Sequence, residues 1–550
     1  MPSRRRAAAA VAALLTGLVL IASTSRHEAR ALPANRPNIL VIIADDQHPS
    51  TFTATYMPAV FSQLVGKGVR FDRGYVNSSV CCPSRSEILT GLYEHHTGVD
   101  FNGTPLTKPT IVEALHDLGY RTMLSGKYLN SAPCDPRPEF DRWVCQHHDP
   151  PSSTTLRNPT LNVDGTWSTF NGYTTQITAD FVSSFIRSTP TDRPFFAMYS
   201  PTSPRLGGGD DRYGSMPVPA LRPPSYDEET RTADTPFYMQ RPPLTGDEKL
   251  KMDRWYRGMA RSVRGFDDSI GSVLASLGSR AQDTLVVYIN DNGFLLGEHR
   301  RVAKMVPYEE STHVPFVVRY PRLLAASQSF RSPALAMNID IPATIADVLG
   351  IPWGADGRSL VPLITRRTTG IRNAALLVWC RGVHTCAGGQ LSDDFVIPEK
   401  SIPSYWAMAT DRYKYVEYRS GERELYDLAV DPFELRNLAY DPAAATLVAD
   451  LSRRLAALHG PVTPETTIVS GPRGTVAGTT FRFRYFTQSR LATYRCRLDR
   501  NGVAGTWSAC GAQGTSVGPL ARGSYVFHVV GTDERGISDA TPATRSFSVT

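Results

Sequence analysis

The stretch RPNILVIIADDQ (residues 36–47) is a continuous apolar run that ends in two carboxylates. A run of this kind is typical of a strand buried on both faces of a parallel sheet. DTLVVYINDNG (residues 283–293) repeats the design, and RPFFAMYSPTSP (residues 193–204) supplies a third such strand. The polar residues that follow the first two runs are Asp45, Asp46, Asp291 and Asn292.

Helical patterns lie between these strands. TKPTIVEALHDLG (residues 107–119) and MARSVRGFDDSIGSVLASLG (residues 259–278) carry apolar residues at i, i+3 and i+4. Alternation of strands and helices predicts an α/β fold with a mostly parallel sheet sandwiched by helices. Ligands of such folds gather at the carboxyl ends of the strands, where the four polar residues fall. Asp267 and Asp268, in FDDSIG, are interpreted instead as a solvated helix face.

The N-terminus reads as a processing segment. A basic start, MPSRRR, precedes the apolar run AAAAVAALLTGLVLIAS, and ARA (residues 29–31) fits a cleavage site, so residues 1–31 are predicted to be a signal peptide. The alternative is an uncleaved membrane anchor, but the run is short and rich in alanine for a full span. We expect a secreted protein, in contact with a membrane only if this segment is retained.

Length and composition fit a globular protein of two to four domains. The chain has 550 residues, of which 41% are hydrophobic and 20% charged. The formal net charge is +7, and residues 1–31 hold five arginines and one glutamate, which leaves about +3 for the mature chain. This charge is too mild to indicate a nucleic-acid partner, although it permits a local basic pocket for an anionic substrate.

The eight cysteines divide into couples and a leftover pair. Spacing suggests three local disulfides, as expected in an oxidising compartment: Cys134 with Cys145, Cys380 with Cys386, and Cys496 with Cys510. Cys81 and Cys82 remain, and adjacent cysteines do not readily pair with each other.

The residue composition and the hydrophobic pattern change along the chain. Residues 201–248 are rich in proline, glycine and charge and predict a long surface excursion near the site. Residues 459–466 read as a linker. Short alternating strands separated by glycine and asparagine turns follow in residues 467–550, which predicts an immunoglobulin-like or fibronectin-like β-sandwich. The catalytic domain is assigned to residues 36–458.

CCPSRSEILTG (residues 81–91) resembles the signature of the type I sulfatases, Cys-x-Pro-Ser-Arg followed by Leu-Thr-Gly, at seven positions. NILVIIADDQ and INDNG resemble the metal-binding strands of that family. GKYLN (residues 126–130) and VAKMVPYEESTHVPFVV (residues 302–318) resemble its two lysine segments. GKYLN is nearest in motif to the branch acting on N-acetylglucosamine 6-sulfate. The resemblance covers about residues 36–458 and implies an alkaline-phosphatase-like fold.

The resemblance gives the leftover cysteines a role. In this family a formylglycine-generating enzyme oxidises the signature cysteine to Cα-formylglycine, which here implies Cys81, with Cys82 in the variable position. Of the two hydroxyls of the hydrated aldehyde, one attacks sulfur and expels the alcohol. The other then reforms the aldehyde and ejects sulfate. The resemblance also implies that Arg85 holds the hydrate and that Lys127 and Lys304 bind sulfate oxygens.

A metal ion fits the same site. The oxygen ligands Asp45, Asp46, Asp291 and Asn292 suit Ca²⁺ or Mg²⁺ better than zinc, and the resemblance favours Ca²⁺ with modified Cys81 as a further ligand. An acidic pair after a strand is more often a turn or a helix cap. Two such pairs together with the cysteine signature favour the metal.

The sequence departs from the family at the leaving-group side. Thr202, in SPTSP, stands where a histidine is usual, and threonine is no acid near neutral pH. Three explanations stay open: another group such as His299 takes over, the leaving group needs little help, or activity is reduced. His299 is therefore kept as a candidate catalytic residue, whereas His95 and His96 are expected either to pack or to support the active-site residues from behind.

The predicted function is a secreted sulfuric-ester hydrolase acting on a sulfated carbohydrate, with an aryl sulfate as the alternative substrate. A phosphodiesterase or phosphonate hydrolase of the same superfamily is the alternative enzyme. A non-catalytic glycan-binding protein is the alternative from another class, supported by Thr202 and the C-terminal β-domain.

Overall fold

The computed structural model describes residues 36–130, 133–146, 156–205, 210–228, 235–324, 328–379, 402–418, 421–459, 466–486, 492–511, 514–532 and 538–550. The predicted signal peptide and the predicted couple of Cys380 and Cys386 lie outside these residues.

Twenty-four strands are present in the described residues. They are β1 Asn38–Ala44, β2 Val69–Tyr75, β3 Arg121–Gly126, β4 Arg142–Cys145, β5 Thr160–Val163, β6 Thr166–Thr169, β7 Phe195–Ser200, β8 Thr284–Asn290, β9 Leu295–Leu296, β10 Val302–Ala303, β11 Phe316–Arg319, β12 Phe330–Met337, β13 Ala375–Trp379, β14 Tyr405–Ala409, β15 Tyr413–Tyr418, β16 Arg423–Asp427, β17 Thr467–Ser470, β18 Gly474–Val476, β19 Phe481–Phe486, β20 Thr493–Arg500, β21 Ser508–Cys510, β22 Thr515–Val517, β23 Gly523–Thr532 and β24 Ala543–Val549.

Ten α-helices accompany them in the same described residues. They are α1 Pro58–Gln63, α2 Cys81–Thr90, α3 Glu94–Thr97, α4 Ile111–Asp117, α5 Thr174–Ser188, α6 Gly246–Ser276, α7 Glu309–Thr312, α8 Asp340–Leu349, α9 Val361–Ile364 and α10 Ala445–His459. Both helices predicted from periodicity begin at a capping box, with Thr110 before α4 and Thr245 before α6. Each threonine side chain accepts from a free backbone N–H of the first turn, which fixes where the helix starts.

A ten-stranded sheet organises the larger part of the chain, in the order β12-β2-β11-β8-β1-β7-β3-β4-β5-β6. Most of its pairings are parallel, and the antiparallel ones involve β11, β5 and β6. Strand β1 is buried on both faces because its side chains alternate between two cores. Ile39, Val41 and Ile43 enter the core that includes α2, α4 and α8, whereas Leu40 and Ile42 enter the core with α5 and α6. The predicted helix–sheet–helix architecture is confirmed.

Two further regions follow the main sheet. Strands β13 to β16 form an antiparallel sheet whose one face packs against α10. Beyond α10, a three-stranded sheet (β17-β19-β22) and a five-stranded sheet (β18-β24-β23-β20-β21) share one apolar core, which includes Phe483 and Phe527. This is the small β region expected at the C-terminus, and its pairings are antiparallel except between β18 and β24. The domain boundaries themselves stay a prediction.

Two of the predicted disulfides are present, between Cys134 and Cys145 and between Cys496 and Cys510. Cys496 and Cys510 join the neighbouring strands β20 and β21, as expected. Cys81 and Cys82 are free and buried. Among the described residues, no helix has both the length and the apolar character needed to cross a membrane.

The expectation that Asp267 belongs to a solvated face is wrong. Asp267 is fully buried, and its carboxylate accepts hydrogen bonds of 2.8 Å from the backbone N–H groups of Ala59 and Val60. It therefore caps the first turn of α1 from a distant part of the chain. Burial raises the pKa of Asp267 to about 6, against the opposing effect of these two hydrogen bonds. Asp268 is partly exposed and pairs with Arg264.

Candidate active site

The two polar strand ends meet because β1 and β8 are parallel neighbours in register, with Ala44 opposite Asn290. Asp45 and Asp291 follow these residues at the same edge of the sheet. The backbone N–H of Asp291 donates to the carbonyl of Ala44 at 3.0 Å. The backbone N–H of Asp46 donates to Asp291 Oδ1 at 3.2 Å. The sequence prediction that these carboxylates lie together is met in the geometry.

Asp46 turns the chain sharply after β1. Its φ angle is 61°, in the left-handed region, which aspartate tolerates better than most residues. The Asn292 side-chain amide donates to Asp46 Oδ1 at 2.7 Å. Asn292 thus holds the Asp46 carboxylate on the same side of the sheet as Asp45 and Asp291.

Cys81 is the first residue of α2, a helix buried along its whole length. Its Sγ lies 3.8 Å from Asp45 Oδ1 and 3.9 Å from Asp46 Oδ1. The helix ends at Gly91, whose φ of 77° and close approach to Ala355 favour glycine. The CCPSRSEILTG segment therefore forms one short helix that aims its first residue at the acidic cluster.

Arg85, one turn along α2, is fully buried and ties the helix to the sheet. Its Nε donates to Asp291 Oδ2 at 2.8 Å, and its Nη1 donates to the Lys127 carbonyl at 2.8 Å and to Ser200 Oγ at 2.6 Å. Its other nitrogen, Nη2, has no hydrogen-bond partner among the described residues. One guanidinium donor is thus left over after the structural contacts are made.

Lys127 and Lys304 bring two more cations to the cluster. Lys127 Nζ lies 2.9 Å and 3.0 Å from the two carboxylate oxygens of Asp45. Lys304 Nζ donates to Asn292 Oδ1 at 3.0 Å, contacts Cys81 Sγ at 2.8 Å and pairs with Asp46. Ala303 and Met305, which flank Lys304, both have positive φ angles. Such backbone is costly, so the surrounding structure must hold Lys304 in place.

The charges of the cluster balance. Three carboxylates (Asp45, Asp46, Asp291) face three cations (Arg85, Lys127, Lys304). Burial alone would raise the pKa of Asp45, but Lys127 and Arg85 outweigh it and hold that pKa well below its usual range. Burial would likewise lower the pKa of Lys304, but Asp46 outweighs it and the pKa is raised. Burial raises the pKa of the Cys81 thiol to about 11, so the thiol is protonated near neutral pH.

A cavity opens beside this cluster. Four of the predicted site residues line it: Asp46, Cys81, Lys127 and Lys304. Its other lining residues were not found in the sequence analysis, and they are Asn102, Asn130, Arg205, Phe294, Ala303 and Met305. Arg205 is notable because it adds a cation to the rim from the excursion after β7. Asn102 lies in a loop without a recognised motif, Arg205 directly follows SPTSP, and Asn130 ends GKYLN, in which only Lys127 has an assigned role.

The remaining candidates lie elsewhere. His299 is fully buried outside the lining of this cavity, stacked on Tyr308 with 4.0 Å between ring centroids and 3.9 Å from Glu310. Its catalytic assignment stays a prediction that its position does not favour. Thr202 is buried, and its hydroxyl has no hydrogen-bond partner among the described residues. His95 packs on Tyr93 and Trp406, as expected, whereas the exposed His96 pairs with Asp356.

Cys82 differs from Cys81 in its surroundings. Its Sγ faces away from the acidic cluster, toward the carbonyl of Asn130 at 3.4 Å. Its backbone N–H donates to Asn102 Oδ1. Only the first cysteine of the pair therefore meets the carboxylates.

The sheet is flanked by helices and has an acidic site at the ends of its central strands. The buried helix that starts with Cys81 faces this site. Together these features define an alkaline-phosphatase-like hydrolase. The sulfatase family model matches residues 37–351, more than half of the chain. The chain belongs to the sulfatase family and is a sulfuric-ester hydrolase by class. The family resemblance inferred from the sequence is confirmed.

Curated relatives share about a quarter of their residues with this chain. An N-acetylglucosamine-6-O-sulfatase of Bacteroides thetaiotaomicron is 25% identical over 511 residues, covering 77% of this chain and 86% of the relative. An N-acetylglucosamine-6-sulfatase of Capra hircus is 25% identical and covers 74% of this chain and 80% of its own length. An arylsulfatase of Chlamydomonas reinhardtii is 25% identical, with 78% and 75% covered.

Solved structures share the fold. A protein solved in complex with its substrate D-glucosamine-2-N,6-O-disulfate superposes with a TM-score of 0.64 at 23% identity, covering 76% of this chain and 97% of that chain. A phosphonate monoester hydrolase of Agrobacterium radiobacter superposes with a TM-score of 0.60 at 21% identity, with 78% and 98% covered. At these identities the likeness establishes the architecture alone.

Proposed function

We propose that this chain is an exported sulfatase that hydrolyses 6-sulfate esters of glucosamine-type carbohydrates, with a formylglycine made from Cys81. The observation that carries the proposal is the position of Cys81 Sγ, within 3.9 Å of both Asp45 and Asp46 and 2.8 Å from Lys304 Nζ. Sulfatases generally use a formylglycine and a divalent metal. In this chain Sγ stands in for the oxygen atoms of the hydrated aldehyde.

A divalent cation fits the donors that surround Cys81. Ligand atoms of Asp45, Asp46, Cys81 and Asp291 all lie within 4.8 Å of one another. Asn292 Oδ1 lies beside them and accepts from the Lys304 ammonium, which also contacts Asp46 and Cys81. Oxygen donors of this kind favour Ca²⁺, or Mg²⁺, over softer metals. A divalent cation held there polarises the sulfate oxygens and lowers the pKa of the attacking hydroxyl.

The neighbouring cations divide the remaining tasks. Arg85 holds Asp291 with Nε, and its free Nη2 donor is available to the oxygens that replace Sγ. Lys127 and Lys304 line the cavity and bind the sulfate oxygens, where they stabilise the charge of the transition state. Because the cluster is neutral without a metal, a bound divalent cation leaves a net positive site for an anionic ester.

The leaving-group side falls to Arg205 in this proposal. Thr202 cannot supply a proton near neutral pH, and His299 lies outside the cavity lining. The Arg205 guanidinium lines the cavity and stabilises negative charge on the departing oxygen without transferring a proton. Sulfate esters of alcohols that leave easily should then be hydrolysed faster than sulfate esters of alkyl alcohols. This rate ratio should be larger than in sulfatases that have the histidine.

Export and maturation complete the proposal. The leader-like residues 1–31 and the two disulfides of the described chain support an oxidising, extracellular location. A formylglycine-generating enzyme converts Cys81 on the way. The substrate class rests on GKYLN and on the two N-acetylglucosamine-6-sulfatases described above.

The test is the release of sulfate from N-acetylglucosamine 6-sulfate by protein made together with a formylglycine-generating enzyme. We expect release from the 6-sulfate and little from the 3-sulfate isomer, with Cys81→Ala as the inactive control. A higher rate on a phosphodiester or phosphonate ester would favour the alternative enzyme. Retention of the sugar without turnover would favour the glycan-binding alternative.

A further inference from the structure

Charge is unevenly shared between the two parts of the chain. Residues 467–550 contain ten arginines, no lysine and four acidic residues, a formal net charge of +6. Residues 36–458 carry a formal net charge of −2. A field of this sign draws polyanions to the C-terminal β region rather than to the catalytic part.

One face of the five-stranded sheet concentrates polar and aromatic groups. Alternate residues of β20 (Tyr494, Cys496) enter the core, so Arg495, Arg497 and Asp499 point to the opposite, solvated face. On the neighbouring strand β23, His528 lies opposite Arg497 in the register. These side chains lie on strands β20 and β23 and do not pack in the core of the sheet.

Asp499 orders this face. Its carboxylate lies 2.8 Å from His528 Nε2 and 2.9 Å from Arg497 Nε, and it accepts from the backbone N–H of Gly505 at 3.0 Å. The last contact fixes the loop that leads to Trp507. The Arg497 guanidinium lies 5.3 Å from the centroid of the Trp507 ring. One carboxylate thus presets a cation, an imidazole and an aromatic ring, which reduces the entropy lost on binding.

We propose that this face, made of Arg495, Arg497, Trp507 and His528 and called here the outer-face cluster, binds chains of sulfated polysaccharide. Arg495 is exposed and matches the geometry of sulfate oxygens with paired N–H donors, whereas Arg497, whose Nε and Nη2 face Asp499, adds its Nη1 donors. A tryptophan ring offers a rigid apolar surface for the face of a sugar. A sulfated polysaccharide presents both features at once. The choice of sulfate over other anions rests on the proposed function of the catalytic part.

The role of such a surface is to hold a polymer near the enzyme. A second binding site on the same chain raises the effective concentration of the polymer at the cavity without any new contact there. Turnover of a polymeric substrate then depends on the outer-face cluster, whereas capture of a monosaccharide does not involve it.

The test measures binding of the full-length Cys81→Ala protein to immobilised heparin at about 0.1 M salt, where charged contacts are only partly screened. The pair Arg495→Ala and Arg497→Ala should weaken binding roughly tenfold, and Trp507→Ala should also weaken it. The matched control, Arg482→Ala with Arg484→Ala, removes the same charge from exposed positions on β19 and should change binding much less.

Equal losses in the two double variants would overturn the proposal, because they would show a general charge effect. Competition by single-stranded DNA as strong as by heparin would overturn the choice of a polysaccharide. Arg495→Ala alone, at an exposed position, gives the answer if the Arg497 variant fails to fold. Because Cys81→Ala binds without hydrolysing, failure here is separate from failure of the proposed activity.

Discussion

Two buried ionic clusters of this chain can be compared directly. The first surrounds Cys81 and pairs three carboxylates with three cations. The second, called here the Lys414 cluster, consists of Lys414, Glu309 and Glu434. Lys414 Nζ lies 2.6 Å from Glu309 Oε1 and 3.0 Å from Glu434 Oε1, and Lys414 is fully buried.

The difference lies in what each cluster leaves available. At the first, Arg85 keeps an unused donor, and both lysines line a cavity. At the second, Glu309 also accepts from Tyr75 and lies 3.1 Å from His313, and Glu434 accepts from the Glu309 backbone N–H. The Lys414 cluster thus joins β15 and α7 and is closed, whereas the Cys81 cluster is organised around reactive groups. Buried charge alone does not indicate catalysis; access and leftover donors do.

Replacement of Cys81 should give the largest effect. Cys81→Ala removes the atom that the site surrounds, so turnover of a sulfate ester should fall by about four orders of magnitude, or ~5 kcal/mol in activation free energy. The thermal midpoint should change little. Cys82→Ala, the matched control, should retain turnover within a few fold, measured as sulfate released per enzyme. Similar losses in both variants would remove the distinction between the two cysteines.

Replacement of Lys414 should act on stability instead. Lys414→Met leaves the buried carboxylate of Glu434 and the partly buried carboxylate of Glu309 without their cation, and should lower the apparent free energy of unfolding by about 3–5 kcal/mol. Thermal unfolding measures this, with the exposed Lys108→Met as control. Protein that remains folded at low temperature should keep its turnover. Lost turnover with unchanged stability would place the Lys414 cluster in the active site.

Removal and re-addition of Ca²⁺ should change protein stability through the Cys81 cluster and not through the Lys414 cluster. Ca²⁺ at a hundredfold excess over its Kd stabilises the folded protein by about 2.7 kcal/mol. The thermal midpoint should therefore rise when Ca²⁺ is added back to protein from which a chelator has removed it. Asp291→Asn should abolish that rise, whereas Glu434→Gln should leave it. A calcium response that survives Asp291→Asn would move the metal away from the Cys81 cluster.

The smallest expected effect comes from a histidine outside both clusters. Burial, with help from neighbouring His96, lowers the pKa of His95 to about 4. Between that value and the ordinary pKa near 6.5 only the unfolded chain takes up the proton, so stability should fall as pH falls through this window, by about 1–2 kcal/mol. His95→Phe should flatten the pH dependence of the thermal midpoint. His96→Gln, at an exposed position, should flatten it less.

The central strands could be predicted because local patterns encode them, and the role of Cys81 because its segment resembles the sulfatase signature. Apolar runs that end in DDQ and INDNG, and the spacing of CCPSRSEILTG, place Asp45, Asp291 and Cys81 without knowledge of the tertiary structure. Parallel pairing of neighbouring strands then brings the strand ends together, as β1 and β8 show. Spacing of cysteines also predicted the two disulfides that are present.

What could not be predicted depends on contacts between distant segments. Asp267 looks like a surface residue in its helix, yet it caps α1 from more than 200 positions away. Arg205 reaches the cavity from a loop whose path no periodicity encodes. His299 is a candidate in the sequence, yet it stacks on Tyr308 outside the cavity lining, in a loop where His299 and Arg300 have positive φ angles.

The most direct test of the central claim is the mass of the tryptic peptide GYVNSSVCCPSR, residues 74–85, from protein made with a formylglycine-generating enzyme. We predict that tandem mass spectrometry finds the aldehyde at Cys81 and a thiol at Cys82. Two thiols, in cells that convert a control sulfatase, would contradict the claim that the site is built around a modified Cys81.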